Sequence, residues 1–285
     1  MERKSDNLKI NIVGVIPLAG TSNNIGSVVP DYLLPLGPDL SALERSVIEC
    51  AYAGCTSIWV VCNDDTAPIV KEVIGDYIVN PDCYNSRGFV RYFNDHKKYI
   101  PVFYTPIHPK DRDRRDSLRW SILHGALTAF TVSNNISSWL APKKYFVSFP
   151  CGVYDPRAAM KSRSEISCNK RNFYFSYNGE TVRDGHQLGF SFFPNEWKEI
   201  RYSLKMNCTG GDKNLPFQER WSSRNFSLDK IFKNDNIVIE KSKEVSCFSE
   251  IRDWKSYVDC TGLNLRKDPE RKIINKMKYK GNLHD

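Results

Sequence analysis

A loop of small and polar residues is the first part of this chain that could bind a ligand. It spans residues 18 to 26 and follows an apolar run, Ile10 to Ile16, that predicts a buried strand. In an open α/β sheet, ligands bind outside the carboxyl ends of the strands, where this loop would lie. Small residues let a ligand approach the backbone, whose N–H groups bind anions. We therefore expect the loop to face phosphate groups, with an ordinary strand-to-helix turn as the alternative.

Arginines are concentrated just before and within a predicted helix that runs to Phe130. Ser117, or Asp116, is the predicted N-cap of this helix. Transfer of a phosphoryl or nucleotidyl group needs positive charge at the phosphate, and a helix N-terminus also favours anions. We expect Arg115 and Arg119 to be catalytic and Ser117 to contact the ligand; the alternative is a solvated loop whose charge neighbouring carboxylates neutralise. The whole cluster comprises Arg112, Arg114, Arg115 and Arg119.

Other catalytic signatures are missing from the sequence. There is no nucleophile elbow around a serine, no zinc-protease histidine pair and no Walker loop. His108, His124 and His186 have no mutual spacing that suggests a metal site. The nine cysteines include no C-x-x-C pair, and an odd count without metal spacing predicts reduced thiols in a cytosol-like compartment.

Length and composition predict a globular protein without a membrane segment. The chain has 285 residues, of which 41% are hydrophobic and 26% are charged. No apolar run reaches membrane length, and the first residues are too polar for a signal peptide, so we expect a soluble, cytoplasmic protein with no membrane partner. The net charge of +8 is modest, so nucleic acid is allowed but not indicated as a partner, and a solvated basic tail is the simpler interpretation.

The apolar pattern of the first half predicts alternating strands and helices. A helix over Ser41 to Ala53 opens with a capping box between Ser41 and Glu44 and ends at Gly54. Buried strands joined by helices predict a parallel sheet with right-handed crossovers. The other predicted elements are a helix over Ala67 to Tyr77 and strands over Ser57 to Cys62, Ile100 to Tyr104 and Tyr145 to Phe149.

The second half predicts smaller elements. Asn178-Gly179 is a hairpin turn signal that follows the aromatic run Phe173 to Tyr177. The later predictions are strands over Gln187 to Phe193 and Ile237 to Glu240, and helices over Trp197 to Leu204 and Phe226 to Phe232. We divide the chain into a polar tail (1–9), one domain (10–260) with halves 10–155 and 156–260, and a basic tail (261–285).

Several motifs of the first half match those of a known enzyme family. They are Leu18-Ala19-Gly20, Pro30-x-x-Leu33-Leu34-Pro35-Leu36, and Ala53-Gly54 followed by Ile58-Trp59-Val60-Val61-Cys62-Asn63. With these motifs the chain resembles the sugar-nucleotide pyrophosphorylases, which are nucleotidyltransferases of the nucleotide-diphospho-sugar transferase fold. The resemblance implies an α/β fold with a mixed, mostly parallel sheet flanked by helices. It also implies nucleotide contacts at Leu18, Ala19, Gly20, Thr21, Ser22 and Asn63.

The resemblance also implies a magnesium site, although the chain departs from the family there. In the family a strand ends in Gly-Asp, whose aspartate holds Mg²⁺, and Cys151 stands at about that place here. Asp155 is the nearest substitute, and Glu250 matches the acidic residue of a late family motif, so we expect these two carboxylates to hold Mg²⁺. The phosphate-binding lysine of the family is replaced by Asp31, and the arginine of its first loop has no counterpart.

The leading functional hypothesis is a divergent nucleotidyltransferase. It would join a nucleoside triphosphate to a sugar phosphate or a similar phosphorylated small molecule. One alternative is a glycosyltransferase that uses a nucleotide-sugar. The other is a non-catalytic descendant that keeps the fold as a binding or assembly module, and the departures from the family motifs favour it. Metal-dependent nucleotide binding would separate an enzyme from a module, and pyrophosphate release would separate the two enzymes.

Overall fold

A mixed β-sheet forms the centre of the computed structural model. The structure describes residues 10–19, 25–38, 40–80, 99–107, 117–168, 170–206, 214 and 241–263. Its strands are β1 (Ile12–Pro17), β2 (Pro35–Gly37), β3 (Leu40–Ser41), β4 (Ser57–Asn63), β5 (Tyr77–Val79), β6 (Tyr99–Ile107), β7 (Lys144–Val147), β8 (Gly152–Val153), β9 (Phe173–Ser176), β10 (Phe190–Phe192), β11 (Ser242–Glu244) and β12 (Ser249–Glu250). Its helices are α1 (Ala42–Ala53), α2 (Ala67–Ile74), α3 (Leu118–Ile136), α4 (Arg157–Lys161), α5 (Arg163–Ile166), α6 (Trp197–Met206) and α7 (Trp254–Gly262).

Eight of the described strands form one sheet in the order β11-β9-β10-β7-β1-β4-β6-β5. The pairs β1–β4, β1–β7, β4–β6 and β9–β11 are parallel, whereas β7–β10, β9–β10 and β5–β6 are antiparallel. β1 lies between β4 and β7, and Val13 stands opposite both Ser57 and Tyr145. The prediction that the first strand and the strands beginning at Ser57 and Tyr145 lie side by side is confirmed, as is the mixed, mostly parallel sheet.

Helix α1 begins and ends as its sequence predicts. The hydroxyl of Ser41 accepts the N–H of Glu44 at 3.2 Å, and the Glu44 carboxylate accepts the N–H of Ser41 at 2.7 Å. This reciprocal pair satisfies two backbone donors that the first turn would otherwise leave exposed. At the other end Gly54 adopts φ 88°, a left-handed conformation that glycine reaches without steric cost and that ends the helix.

Helix α2 is shorter than predicted, so the expected extension to Tyr77 is wrong. The helix ends at Ile74 because Gly75, with φ 85°, turns the chain out of the helical path. Tyr77–Val79 then forms β5, which pairs antiparallel with the start of β6. The aromatic and β-branched residues of this stretch suit an edge strand better than a last helical turn.

Helix α3 packs directly on β1 and β4. It extends to Ile136, beyond the predicted end at Phe130. A Cβ added at Gly125 would lie 2.7 Å from Val61 and 2.8 Å from Val15, so this glycine lets the helix approach the sheet closely. The residues that pack around this contact are Val13, Val15, Trp59, Ile122, Leu123 and Ala126. The opposite face of β1 packs against α1, which places the sheet between two helical layers.

The predicted hairpin of the second half is a single turn. Asn178 and Gly179, both with positive φ, join Tyr177 to Glu180 through one isolated bridge. The chain then enters a 3-10 helix over Val182–Asp184 instead of a return strand. β9 pairs instead with β10 and β11, which supply its neighbours in the sheet.

Some predictions lie outside the described residues. They include the polar tail (1–9), the part of the basic tail beyond residue 263, the predicted helix over Phe226 to Phe232 and the predicted strand over Ile237 to Glu240. Among the residues that the structure describes, every helix is too short or too polar to span a bilayer.

Candidate functional site

The loop after β1 is anchored to the neighbouring strand β4. The backbone N–H groups of Leu18 and Ala19 both donate to the carbonyl of Val61, at 2.7 and 2.9 Å. Each of the two loop residues is only 2% exposed. Nucleotide contact at Leu18 and Ala19 stays a prediction, but these two N–H groups already serve as donors within the fold. The predicted ligand residues Gly20, Thr21 and Ser22 lie outside the described ranges.

The N-terminus of α3 is tied to the same loop. The hydroxyl of Ser121 lies within hydrogen-bond distance of the Ala19 carbonyl and 3.4 Å from the Ser117 carbonyl. Ser117 caps the helix, because its hydroxyl accepts the N–H of Trp120 at 3.4 Å. The structure thus brings together the loop and the helix start that the sequence assigned to one ligand. Arg119 follows in the first turn and is 1% exposed, whereas the other three predicted arginines fall outside the described residues.

Asn63 marks the carboxyl end of β4, opposite Ile107 at the end of β6. Its carbonyl accepts hydrogen bonds from the N–H and the hydroxyl of Thr66, both at 3.2 Å. Because β1 and β4 are parallel, Asn63 lies at the same edge of the sheet as the loop after β1. Its predicted contact with a nucleotide remains a prediction.

A buried ion pair that sequence reasoning missed fixes the chain as it leaves β7. The guanidinium of Arg45 donates to Glu49 at 3.0 Å and to the Phe149 carbonyl at 2.6 Å. Glu49 also accepts hydrogen bonds from Ser148, at 2.6 Å, and from the hydroxyl of Tyr154. Arg45 and Glu49 are both fully buried, and their i, i+4 spacing in α1 was the available sequence signal. Burial, followed by the charge of Glu49, raises the pKa of Tyr154 well above its ordinary value.

Cys151 stands at the next turn, just before β8. The pKa of its thiol is raised to about 12, chiefly by burial and also by the carboxylates of Asp31 and Glu250, while the guanidinium of Arg45 opposes this rise. The thiol is therefore protonated and neutral at neutral pH. Mg²⁺ prefers charged oxygen ligands, so this side chain does not suit it.

Asp155 is paired with the arginine that follows it. The guanidinium Nε of Arg157 lies 3.0 and 3.2 Å from the two carboxylate oxygens, and the N–H of Arg157 donates to Asp155 at 2.9 Å. Asp155 also lines a small cleft between α4 and β11. The other lining residues are Ala158, Lys161, Lys243, Glu244, Val245 and Ser246.

Glu250 lies opposite Gly152 in the β8–β12 pair and contacts different partners. It accepts a hydrogen bond from Arg252 Nε at 2.9 Å and lies 3.8 Å from His186 Nδ1. The other ring nitrogen of His186 is 2.7 Å from Glu180. This grouping of His186 with two glutamates was not predicted, because Glu250 lies far along the sequence from Glu180 and His186.

The described residues do not fit the predicted magnesium site. Within the described ranges, no group of three or more His, Cys, Asp or Glu side chains is arranged to hold a metal ion. Asp155 and Glu250 each pair with an arginine, and Cys151 offers a neutral thiol. The donor groups of Cys151, Asp155 and Glu250 therefore differ from the set of charged oxygen ligands that Mg²⁺ prefers.

Comparison with known proteins finds similarity at the level of structure. No protein-family model and no curated protein matches the sequence. A proposed glucose-1-phosphate thymidylyltransferase from Bacillus anthracis, in complex with sucrose, aligns with a TM-score of 0.54 and 10% identity over 93% of this chain and 98% of that one. A UDP-glucose pyrophosphorylase complexed with UDP-glucose aligns at 0.51 and 14%, over 91% and 100%. The inositol-1-phosphate CTP transferase of T. maritima aligns at 0.50 and 12%, over 96% and 98%.

These three alignments all have TM-scores of 0.50 or above. They cover nearly the whole of each structure, so the similarity concerns the complete fold. At such low identity it carries no residue roles. This chain therefore has the nucleotide-diphospho-sugar transferase fold, as the resemblance of its opening motifs to the sugar-nucleotide pyrophosphorylases implies.

Proposed function

We propose that the chain is a nucleotidyltransferase that joins a nucleoside triphosphate to a sugar phosphate or a similar phosphorylated small molecule. The observation that carries the proposal is the hydrogen bond of Ser121 to Ala19. It joins the loop after β1 to the N-terminus of α3 at the carboxyl edge of the sheet, where this class of fold binds ligands. The structurally similar proteins bear the names of a thymidylyltransferase, a pyrophosphorylase and a CTP transferase, which favours this class of reaction.

The proposed reaction transfers a nucleotidyl group between two phosphates. An oxygen of the sugar phosphate attacks the α-phosphate of the nucleotide and forms a new P–O bond. The bond to the β-phosphate breaks, and pyrophosphate leaves with the electron pair. Negative charge grows on the α-phosphate oxygens, so a cation there lowers the barrier. We assign this contact to Arg115, while the buried Arg119 adds positive charge at the start of α3.

The nucleotide contacts in this proposal are those that the motifs predict. The loop of Leu18, Ala19, Gly20, Thr21 and Ser22 would enclose the nucleotide, with Asn63 and Ser117 at its sides. Mg²⁺ enters as the ion that accompanies the triphosphate. Asp155 and Glu250 are the carboxylates to test for contact with it, and no step of the proposal depends on that contact.

The test is a pyrophosphate-release assay with the five common nucleoside triphosphates and glucose 1-phosphate or inositol 1-phosphate as probe acceptors. We expect release with one triphosphate. Arg115→Ala should lower the rate by about 10²- to 10³-fold, the usual effect of removing one stabilising donor. Arg201→Ala, which removes an exposed arginine of α6, is the matched control and should leave the rate unchanged. Equal rates for the two variants would contradict the role of Arg115.

A second candidate is a non-catalytic binding module. The pairing of Asp155 with Arg157 and of Glu250 with Arg252 favours it, because both carboxylates already have a cationic partner. A module would bind a nucleotide without releasing pyrophosphate from any acceptor. A glycosyltransferase would instead consume a nucleotide-sugar and release a nucleoside diphosphate. Adding nucleotide-sugars with detection of the nucleoside diphosphate, and a measurement of nucleotide binding, lets the assay separate all three functions.

A further inference from the structure

Cys151 fills the corner where the chain passes from β7 to β8. Its thiol belongs to a small apolar cluster with Leu36, Ala42 and Ile251, and the residue is 4% exposed. The backbone of the corner is also fixed, because the carbonyl of Cys151 accepts the N–H of Ile251 at 2.8 Å. The cysteine therefore acts here as a small apolar side chain.

Two carboxylates, those of Asp31 and Glu250, are near enough to this thiol to raise its pKa. Glu250 lies opposite Gly152 in the β8–β12 pair, and both Glu250 and Asp31 act electrostatically on the thiol. Oxygen donors in such an arrangement would suit a hard cation, whereas sulfur suits soft metals such as zinc or copper. The residue type at position 151 thus decides whether this corner can hold Mg²⁺.

The two carboxylates predicted to hold Mg²⁺ each already pair with an arginine. Arg157 lies 3.0 and 3.2 Å from the two oxygens of Asp155. Arg252 donates to Glu250 at 2.9 Å. Charge-assisted pairs of this kind supply the positive charge that a bound divalent ion would otherwise supply.

We infer that this chain binds its phosphate ligand without a divalent ion held at the Pro150–Gly152 corner, and that the thiol of Cys151 is what removes the ion site. Arg157 and Arg252 serve instead as the counter-charges of Asp155 and Glu250. The identity of the ligand rests on the proposed function. The statement about the ion concerns the protein alone.

The test titrates Mn²⁺, a paramagnetic substitute for Mg²⁺, into the intact chain and follows the signal of the free ion by electron paramagnetic resonance. Three proteins are compared: the wild type, Cys151→Asp and the uncharged control Cys151→Ser. We expect Cys151→Asp to bind one Mn²⁺ and to melt about 5 °C higher when the ion saturates it. The wild type and Cys151→Ser should show neither effect at the corner.

Two results would overturn the inference. One is a wild-type Mn²⁺ site that is lost in Asp155→Asn or Glu250→Gln. The other is a folded Cys151→Asp protein that binds no more Mn²⁺ than the wild type.

If Cys151→Asp does not fold, the inference is tested on the wild type by measuring the dissociation constant of the triphosphate in Mg²⁺ and in EDTA. The inference is supported if the ratio of the two constants is the same in the wild type and in Glu250→Gln, because Mg²⁺ that only accompanies the triphosphate affects both proteins alike. A tenfold or greater weakening in EDTA that Glu250→Gln abolishes overturns it, a change of about 1.4 kcal/mol. If no triphosphate binds at all, the proposed function fails, while the Mn²⁺ titration of the wild type and its Asp155→Asn and Glu250→Gln variants still decides the inference.

Discussion

Gly152, the first residue of β8, lies where the fold leaves no room for a side chain. A Cβ at this position would lie 1.8 Å from the carbonyl oxygen and 2.8 Å from the carbonyl carbon of Gln187, and backbone atoms cannot move aside as a flexible side chain can. Gly152→Ala should therefore lower the free energy of unfolding by about 3 kcal/mol or more, measured by urea denaturation. The control is Gly262→Ala at the end of α7, where an added Cβ meets nothing within 4 Å. Equal urea midpoints for the two variants would contradict this packing.

Lys144 predicts a pH dependence of stability. It is buried, it donates to the carbonyls of Cys168 and Arg171 at 2.8 Å each, and burial lowers its pKa to about 8. In the unfolded chain its pKa returns to the ordinary value near 10.4. Between these values the unfolded state holds the proton more tightly, so the stability of the folded state rises with pH above about 8.

The comparison that isolates this effect is wild type against Lys144→Met, which cannot titrate. From about pH 7 to about pH 9.5 the wild type should gain about 2 kcal/mol relative to the variant in urea denaturation. A stability difference that is constant with pH, or one that shifts against the wild type, would show that Lys144 does not titrate as its burial implies.

At the scale of elements, α1 depends on its capping box. Ser41→Ala removes the hydroxyl that accepts the Glu44 N–H at 3.2 Å, and we expect a loss of about 1 kcal/mol in urea denaturation. Ser41→Asn keeps a side-chain acceptor and serves as the matched control, with stability close to that of the wild type. Identical losses in both variants would mean that the cap does not stabilise the helix.

The buried Arg45–Glu49 pair joins α1 to the end of β7. Glu49→Gln would leave the guanidinium without its counter-charge, and the expected loss is about 3–5 kcal/mol in the free energy of unfolding. A double-mutant cycle with Arg45→Met and Glu49→Leu should show a coupling energy of about 1 kcal/mol or more. Additive effects of the two substitutions would contradict a direct ion pair.

Local signals explain which elements could be predicted. The residues that cap α1, which are Ser41, Glu44 and Gly54, lie in the helix or directly beside it. The apolar runs of β1 and β4 can likewise be recognised without knowledge of distant contacts. The Arg45–Glu49 network was missed because its other members, Ser148 and Tyr154, lie about a hundred residues away. Only the folded chain shows that this helix is buried on all sides and must pair its charges internally.

At the scale of the whole molecule, parallel pairing of β1 with β4 and β7 places the carboxyl ends of these strands at one edge of the sheet. That edge could be predicted from the order of strands and helices. The partners of the candidate carboxylates could not be predicted in this way. Glu250 lies near His186 in the folded chain, where β12 pairs with β8. The resemblance to the family motifs implied that Asp155 and Glu250 share one metal site, whereas tertiary contacts give each of them an arginine.

Nucleotide binding at the carboxyl edge of the sheet is tested most directly by a thermal-shift panel of the nucleoside triphosphates, run with and without Mg²⁺. We expect one triphosphate to raise the melting temperature. At about 100 times its dissociation constant the added stability should be about 2.7 kcal/mol. A panel in which no triphosphate changes the melting temperature of the folded protein would contradict nucleotide binding at the carboxyl edge of the sheet.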